Sequence, residues 1–580
     1  MTLSQAEPVL GRSLHRLPDF VSTFDMTSSP TTPHLSQLAF QLSQDGRHDQ
    51  ALDLLKRANQ SEPANPFLAV NLGFCALAAG QVDEASTALE RAEALFSRDQ
   101  LATVSVLERL CHGWLLAQHP GRAHALLERH APLGSSPSQA LIALYASVVT
   151  ALGDPNQALQ WFGQLTDPSH RDSISASLSS LLIRQGRLQD AEQVLVQSPG
   201  TGSRADLVTN LAILASEHGK VARARTFYLQ ARELEPQSFV PAFNLARFYF
   251  LQGDSERAHA AVTEALHLAP QAREGYQLLE QIESGRGDFD SALAVIGQWL
   301  KVHPNDLAAQ IAECRIHVTT GDHARLTQRL PQLVGRCPGH PDLLGLLAGL
   351  PRDLRRQQGL SESVLRCFEP DSQVRHHSGL VPESLCHQLA QRILEDPTLH
   401  GHRPHKPSRQ GSQTHEVFTD PLPPELSALV TLLQPHLDAM IAGFNEEQRR
   451  ALAYPLSSQS LRFSGWGVVL ETGGYQAPHV HPESLFSGVV YLRMPAPEEA
   501  PDPSSPAPGS LCFYGDGVQS SADPDSPSQS NPSPATDSRL PANGDLILFP
   551  SFLWHGTVPF SAAGPRICLA FNVLPELTQC

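Results

Sequence analysis

Three histidines near the C-terminal end have the residue type and spacing of a metal site. His479 and His481 lie two positions apart after a Gly-Gly turn, and His555 follows an apolar segment that ends at Pro550. Residues two apart in an extended chain point to the same side, so the first two imidazoles can face one ion. Three imidazoles on one face of an octahedral metal leave positions open for oxygen and a co-substrate. The pattern therefore predicts a three-histidine metal centre.

A series of short apolar segments predicts the β-rich domain that would position these histidines. From Pro351 onward the helical periodicity fades, and Gly- or Pro-bounded segments predict strands at 464–471, 487–494, 509–514, 544–550 and 565–574. Arg566 and Asn572 differ by six positions, so they share one face of the last strand. Trp466 and Trp554 are expected in the interior. Short antiparallel strands after a helical lead-in predict an α+β domain with a double-stranded β-helix (jelly-roll) core.

The first 350 residues carry a 34-residue period. Gly219, Gly253, Gly287 and Gly321 are evenly spaced, with alanines five and twelve positions after a glycine and prolines seventeen positions after. Glycine suits the left-handed end of one helix, acidic residues suit the start of the next, and proline stops it. The period predicts an α solenoid of stacked helical hairpins.

These units resemble the tetratricopeptide repeat, as in NLGFCALAAGQVDEASTALERA and NLARFYFLQGDSERAHAAVTEAL. The resemblance covers residues 36–350, the predicted solenoid domain, and weakens near 95–140 and after 325. Repeat arrays of this kind present a concave surface to a protein or peptide. The resemblance therefore implies a protein or peptide partner.

The C-terminal motifs resemble a family of 2-oxoglutarate/Fe(II) oxygenases that is often fused to such repeats in bacteria. They are GGYQAPHVHPESLFSGVVYL, GSLCF, NGDLILFPSFLWHGTVPF and PRICLAFN, within about 370–575. The resemblance implies Fe(II) and 2-oxoglutarate as cofactors, with turnover supported by ascorbate. It implies that His479 and His555 are metal ligands and that Arg566 binds the distal carboxylate of 2-oxoglutarate through a bidentate fork. Tyr491 and Asn572 are further candidates for binding this co-substrate.

The third metal ligand has two candidates. Most enzymes of the wider superfamily present H-x-D, whereas His481 occupies the acidic position here. We prefer a three-histidine site of His479, His481 and His555, and the alternative is that Glu483 reaches the metal. A neutral triad would leave the ion its full charge and so strengthen its attraction for the 2-oxoglutarate dianion.

The expected activity is that of a 2-oxoglutarate-dependent dioxygenase that hydroxylates a protein or peptide recruited by the repeats. The catalytic domain is predicted over 366–577, with a disordered Pro/Ser/Asp-rich loop at about 516–539. One alternative is a three-histidine metal oxygenase that does not use 2-oxoglutarate. Another is a non-catalytic repeat scaffold with a degenerate barrel.

Composition narrows the class of protein further. A formal charge of −17 argues against general nucleic-acid binding, because neutralising phosphates needs a basic face. The N-terminal residues do not resemble a signal peptide, and apolar runs are too short to span a membrane. Nine scattered cysteines without a CxxC pair suit reduced thiols. We therefore expect a cytoplasmic protein that binds neither nucleic acid nor membrane.

Overall fold

The computed structural model describes residues 31–44, 47–131, 137–399, 401, 407–418, 422–455, 461–481, 484–496, 505–515 and 535–575. These residues divide into two compact units that meet in the sequence between Leu214 and Ala215. The described residues of the first unit are helical or in turns, whereas the second unit contains further helices and then two β-sheets. No helix among the described residues is long and apolar enough to cross a membrane.

The helices of the predicted repeat region are α1 Thr31–Gln44, α2 His48–Ser61, α3 Pro66–Ala78, α4 Val82–Leu95, α5 Arg98–Leu101, α6 Val104–Leu116, α7 Pro120–His130, α8 Gln139–Leu152, α9 Pro155–Gln164, α10 Pro168–Arg184, α11 Leu188–Val196, α12 Ala205–Glu217, α13 Val221–Leu234, α14 Phe239–Leu251, α15 Ser255–Leu268, α16 Arg273–Gly285, α17 Phe289–Val302, α18 Leu307–Thr320, α19 His323–Arg336 and α20 Pro341–Ala348.

The 34-residue period corresponds to pairs of these helices. Its glycines take left-handed φ values of 68° at Gly219, 76° at Gly253, 75° at Gly287 and 73° at Gly321. The alanines five positions later are fully buried at Ala224, Ala258 and Ala292. A side chain without bulk at these positions lets the paired helices approach closely, which confirms the predicted helical hairpins.

The remaining elements form the C-terminal domain. Its helices are α21 Arg352–Arg356, α22 Glu362–Leu365, α23 Pro370–Gln373, α24 Glu383–Glu395, α25 Pro424–Ala442 and α26 Glu446–Leu452. Its strands are β1 Arg375–His377, β2 Ser408–Gln413, β3 Leu461–Gln476, β4 Phe486–Arg493, β5 Leu511–Tyr514, β6 Asp537–Arg539, β7 Leu546–Pro550, β8 Trp554–Thr557 and β9 Arg566–Pro575.

Two antiparallel sheets build the barrel. The larger sheet has the strand order β1-β7-β4-β9-β3-β2, and the smaller has the order β6-β5-β8. Strands that are distant in sequence are neighbours in both sheets, as in a jelly roll. The predicted fold is confirmed. One hydrophobic cluster runs from Ile311 of α18 into both sheets and ends at Val573 of β9.

The predicted disordered loop ends earlier than expected. Residues 516–534 lie outside the described residues, but Asp537–Arg539 forms β6 and pairs with Leu511–Phe513 of β5. The prediction was wrong for these three residues, because an exposed polar segment can still complete a sheet edge through its backbone. The domain boundaries at 350 and 366 stay a prediction, since one compact unit contains the last repeat helices and both sheets.

Arg355 connects the end of the repeat region to the smaller sheet. Its guanidinium is 1% exposed and donates to the carbonyl oxygens of Leu347, Leu350 and Gly515 at 2.9, 2.9 and 2.7 Å. It also packs over the ring of Phe368, with its central carbon 5.2 Å from the ring centroid, within the roughly 6 Å of a cation–π contact. One buried cation thus satisfies carbonyls from two separate parts of the chain.

Replacing Arg355 with Met should lower the free energy of unfolding of this unit by at least about 2 kcal/mol, because several buried carbonyls lose their donor. Urea titration followed by circular dichroism measures the change. The matched control is Arg356→Met, since Arg356 is an exposed neighbour paired only with exposed Glu362, and we expect it to change stability by less than about 0.5 kcal/mol. Equal effects of the two substitutions would refute the anchoring role.

Candidate metal centre

His479 and His555 are brought together by the backbone. The N–H of His479 donates to the carbonyl of His555 at 2.9 Å, and the N–H of His555 donates back to His479 at 3.0 Å. This antiparallel bridge extends the smaller sheet, in which His555 on β8 pairs with Phe513 on β5. The imidazole centroids of the two histidines lie 4.3 Å apart. Their proximity therefore follows directly from a reciprocal pair of hydrogen bonds.

Gly556 makes this close approach possible. A Cβ atom at position 556 would lie 2.9 Å from the carbonyl oxygen of Gln476 and 3.1 Å from the nitrogen of Pro478. A side chain would therefore push β8 away from the segment that carries His479. Packing between the two ligand-bearing segments therefore requires glycine at position 556.

The same local geometry fixes the tautomer of both imidazoles. Nδ1 of His479 lies 2.8 Å from the carbonyl oxygen of Ala477, and Nδ1 of His555 lies 2.9 Å from that of Leu553. A carbonyl can only accept, so each Nδ1 carries the proton and each Nε2 keeps its lone pair. Metal-binding histidines are commonly oriented in this way by a carbonyl on the other ring nitrogen.

His481 completes the cluster from a neighbouring turn. Its N–H donates to the carbonyl of Ser551 at 3.0 Å, and its ring centroid lies 4.9 Å from that of His479 and 5.1 Å from that of His555. One ligand nitrogen from each of the three residues falls within 4.8 Å of the others. Among the described residues, this is the group with the geometry to hold a metal ion. Glu483, the alternative ligand, lies outside the described residues.

Burial keeps the two inner histidines neutral. Burial, with His555 and His481 nearby, holds the pKa of His479 well below its usual value. Burial lowers the pKa of His555 to about 4, against the opposing effect of its bond to Leu553. Neutral imidazole is the form that binds a metal. A cation would therefore meet little competition from protons at these two residues near neutral pH.

Residues next to the three histidines in the sequence contact the last helix of the predicted repeat region. Trp554, beside His555, donates its indole N–H to the carbonyl of Gly345 on α20 at 3.1 Å. Val480 lies between His479 and His481 in the sequence, and its Cγ2 atom is 3.5 Å from the position that a Cβ atom on Gly345 would occupy. Trp554 was expected in the barrel interior, but it is only partly buried, and its indole N–H bonds to this helix instead. Helix α20 therefore contacts the residues next to all three histidines.

Arg566 and Tyr491 are buried together with unused hydrogen-bonding groups. Arg566 is 1% exposed, donates one Nη1 bond to the carbonyl of Gly509 at 3.0 Å, and lies over the Tyr491 ring at 5.1 Å. Arg566 Nε and the Tyr491 hydroxyl are buried and have no hydrogen-bond partner among the residues that the structure describes. Burial raises the pKa of the Tyr491 phenol despite the nearby guanidinium, so the hydroxyl remains a donor. Two orphaned donors beside a buried positive charge fit a carboxylate.

Asn572 shares the face of Arg566, as the spacing predicted, but lies elsewhere on the strand. Six residues of β9 separate the two Cα atoms by about 20 Å. Asn572 instead accepts a hydrogen bond from the Ser487 hydroxyl at 2.8 Å and lines a cleft beside the histidines. The two side chains are too far apart to bind one carboxylate, and a role of Asn572 in binding the co-substrate stays a prediction.

The cleft contains residues that the sequence did not single out. It has about 510 Å³ of open space beside the three histidines, and its lining includes Gln413, Gln476, Ser487 and Trp466. Trp466 was expected in the interior, yet it is half-buried with its ring 5.7 Å from that of His481. The two-residue alternation of β3 and β9 places Trp466 opposite Ala570 on the inner face. This two-residue alternation is the signal in the sequence that could have placed Trp466 in the cleft.

Known families match both parts of the chain. Residues 464–572 match the family model described as "Putative 2OG-Fe(II) oxygenase", and residues 42–102 and 240–262 match models of the tetratricopeptide repeat. The chain carries tetratricopeptide repeats and a domain of this oxygenase family. The family implies Fe(II) and 2-oxoglutarate as cofactors, and the three histidines together with the Arg566 site fit that pair.

Solved structures of both kinds show distant likeness. A prolyl-4-hydroxylase from Pseudomonas putida is 13% identical with a TM-score of 0.23, over 36% of this chain and 95% of its own. A tetratricopeptide repeat protein from Parabacteroides merdae is 18% identical with a TM-score of 0.31, over 49% of this chain and 98% of its own. No curated protein sequence matches the chain.

The neutral state of His555 makes a pH-dependent contribution to stability. The unfolded chain takes up a proton at the ordinary pKa of 6.5, whereas the folded imidazole stays neutral down to about pH 4. Stability of the metal-free protein should therefore fall as pH drops through this window, by about 3 kcal/mol from this residue. Urea titrations of wild type and His555→Asn between pH 7 and 4.5 measure it. A difference between the two proteins that does not change with pH would contradict the assignment.

Proposed function

We propose that this protein is a non-haem Fe(II)/2-oxoglutarate-dependent dioxygenase that hydroxylates a protein or peptide recruited by its repeats. The observation that carries the proposal is the combination of three clustered imidazoles with a buried, partly unpaired arginine on an adjoining strand. The family match of residues 464–572 supports it. A metal site with open positions and a separate site for the distal carboxylate are both needed for this chemistry.

His479, His481 and His555 would hold the iron. Two of them present Nε2 because their Nδ1 atoms are bound to carbonyls. They occupy one side of an ion and leave the cleft on the other side for substrate. Because all three ligands are neutral, the ion would keep its full charge to attract an anionic co-substrate.

Arg566 and Tyr491 would hold the distal carboxylate of 2-oxoglutarate. The guanidinium is already fixed by Gly509 and needs no reordering to bind, while Nε and the Tyr491 hydroxyl supply the donors. With iron bound, O₂ would be the oxidant and 2-oxoglutarate the co-substrate: one oxygen atom would enter a C–H bond of the substrate and the other would appear in succinate, with carbon dioxide released. The residues of this chain bind, orient and enclose these groups. Ascorbate is expected to support turnover.

The repeats would bring the substrate. Tetratricopeptide repeats generally mediate protein–protein interaction, and their matched segments lie in the helical region. A protein or peptide is therefore the natural substrate class. The protein is expected to act in the cytoplasm and to need no nucleic acid.

A metal oxygenase that does not use 2-oxoglutarate is the second candidate. It is favoured by one observation, namely that the ligand cluster of the described residues contains three histidines and no carboxylate. The two candidates differ in what Arg566 does. Only the first requires this arginine for co-substrate binding.

Binding of 2-oxoglutarate separates these candidates. Titration of 2-oxoglutarate into Mn(II)-loaded protein without oxygen should give micromolar affinity in the wild type and at least a roughly 100-fold loss in Arg566→Ala, because a buried charged pair is broken. Arg493→Ala is the matched control, since Arg493 is an exposed arginine on the adjoining strand β4, and it should bind normally. Wild-type protein that binds metal but not 2-oxoglutarate would favour the second candidate.

Turnover and the third ligand are tested with the same proteins. With iron, ascorbate and a cell lysate as substrate source, wild type should form succinate and His555→Ala should not. His481→Ala should lose metal binding, whereas Glu483→Ala should retain it. The reverse pattern at 481 and 483 would move the third ligand to Glu483. A wild-type rate equal to that of His555→Ala would refute the enzymatic proposal.

A further inference from the structure

The cleft beside the histidines combines apolar walls with several carboxamides and carries no formal charge on its described lining. Three of its lining residues, Gln413, Gln476 and Asn572, have carboxamide side chains, and Trp466 adds an aromatic wall. Lys, Arg, Asp and Glu are absent from the lining that the structure describes. Away from the metal ligands, the lining offers no side-chain charge to offset the solvation that a charged group would lose on entering. The lining therefore favours a neutral, hydrogen-bonding group.

A chain of hydroxyls orients the amide of Asn572. Ser551 and Ser487 are buried with their oxygens 2.9 Å apart, and Ser487 donates to Asn572 Oδ1 at 2.8 Å. The same Ser551 accepts from Ser484 at 3.0 Å and from the N–H of His481 through its carbonyl at 3.0 Å. With Oδ1 occupied, Asn572 turns its NH₂ group to the cleft as a donor.

The two glutamines approach the same cleft from other strands. Gln413 ends β2 and Gln476 ends β3, and neither carboxamide has a hydrogen-bond partner among the residues that the structure describes. The backbone of Gln476 is held, since its N–H donates to the Thr557 hydroxyl at 2.8 Å. Each glutamine therefore offers an unused donor and acceptor on a fixed strand end.

We infer that this cleft recognises an amide group of the substrate, with Asn572 as an oriented donor and Gln413 and Gln476 as its neighbours. A carboxamide matches an amide because each has one acceptor and at least one N–H donor. Trp466 would pack against the apolar atoms beside that amide. The inference deepens the proposed function by naming the substrate chemistry, and it rests on the metal centre but not on the use of 2-oxoglutarate.

Paramagnetic relaxation tests this directly, because Mn(II) at the histidines broadens the proton signals of any small probe that enters the cleft. The probes are N-acetylglycine N-methylamide, which has two peptide bonds, and methyl acetoxyacetate, the diester of similar shape that lacks both N–H groups. Propionamide represents an Asn or Gln side chain, so its response relative to the diamide distinguishes the two sources of an amide. Zn(II)-loaded protein gives the diamagnetic blank.

We expect the diamide or propionamide to relax at least about 3-fold more than the diester, as loss of a donated hydrogen bond requires. Asn572→Leu should abolish the preference, and Ser487→Ala should weaken it by freeing the amide to rotate. Gln391→Leu, which removes an exposed carboxamide on α24, should leave it unchanged. Equal relaxation by all probes, no relaxation by any, or a preference that survives Asn572→Leu would overturn the inference.

The same samples separate this inference from the proposed function. A protein that loads Mn(II) and prefers amides but fails to bind 2-oxoglutarate would retain amide recognition and refute 2-oxoglutarate use. A protein that binds 2-oxoglutarate but shows no amide preference would retain the proposed cofactor and refute the substrate class.

Discussion

The reciprocal backbone pairing of His479 and His555 is the interaction on which the site depends. It joins two segments about 75 residues apart in sequence into one sheet edge and sets both imidazoles side by side. Gly556 permits the approach, and carbonyls two residues before each histidine fix the protonated nitrogen. A hydrogen bond between buried backbone groups is costly to leave unmade. The ligand geometry is therefore built into the fold before any metal binds.

Three other groups of residues in the domain complete the candidate site. Arg566 and Tyr491 form a buried, positively charged site on the inner face of β9 and β4, with two hydrogen-bond donors that have no partner among the described residues. Asn572, further along β9, belongs with the serine chain and the open cleft. On the outside, α20 packs on Trp554 and Val480. One strand face thus carries separate groups for co-substrate and substrate, and the last repeat helix supports the metal ligands.

Much of this organisation was predictable where the signal is local or periodic. The 34-residue period predicted the helical hairpins because each glycine and alanine determines the turn or the helix packing within its own repeat unit. The spacing of the histidines, and the two-residue alternation of side chains along β9, predicted which of these residues share a face. Strands β1, β2, β6 and β8 were not predicted, because their pairing partners lie far away in sequence. The serine chain and the glutamines were missed for the same reason.

X-ray absorption spectroscopy of Fe(II)-loaded protein without oxygen tests the central claim most directly, because multiple scattering from imidazole rings counts the histidines bound to the metal. The account predicts one iron per chain with three imidazoles in the wild type and a loss of bound iron in His481→Ala. A wild-type spectrum with fewer than three imidazoles, or iron bound without any, would contradict the three-histidine centre.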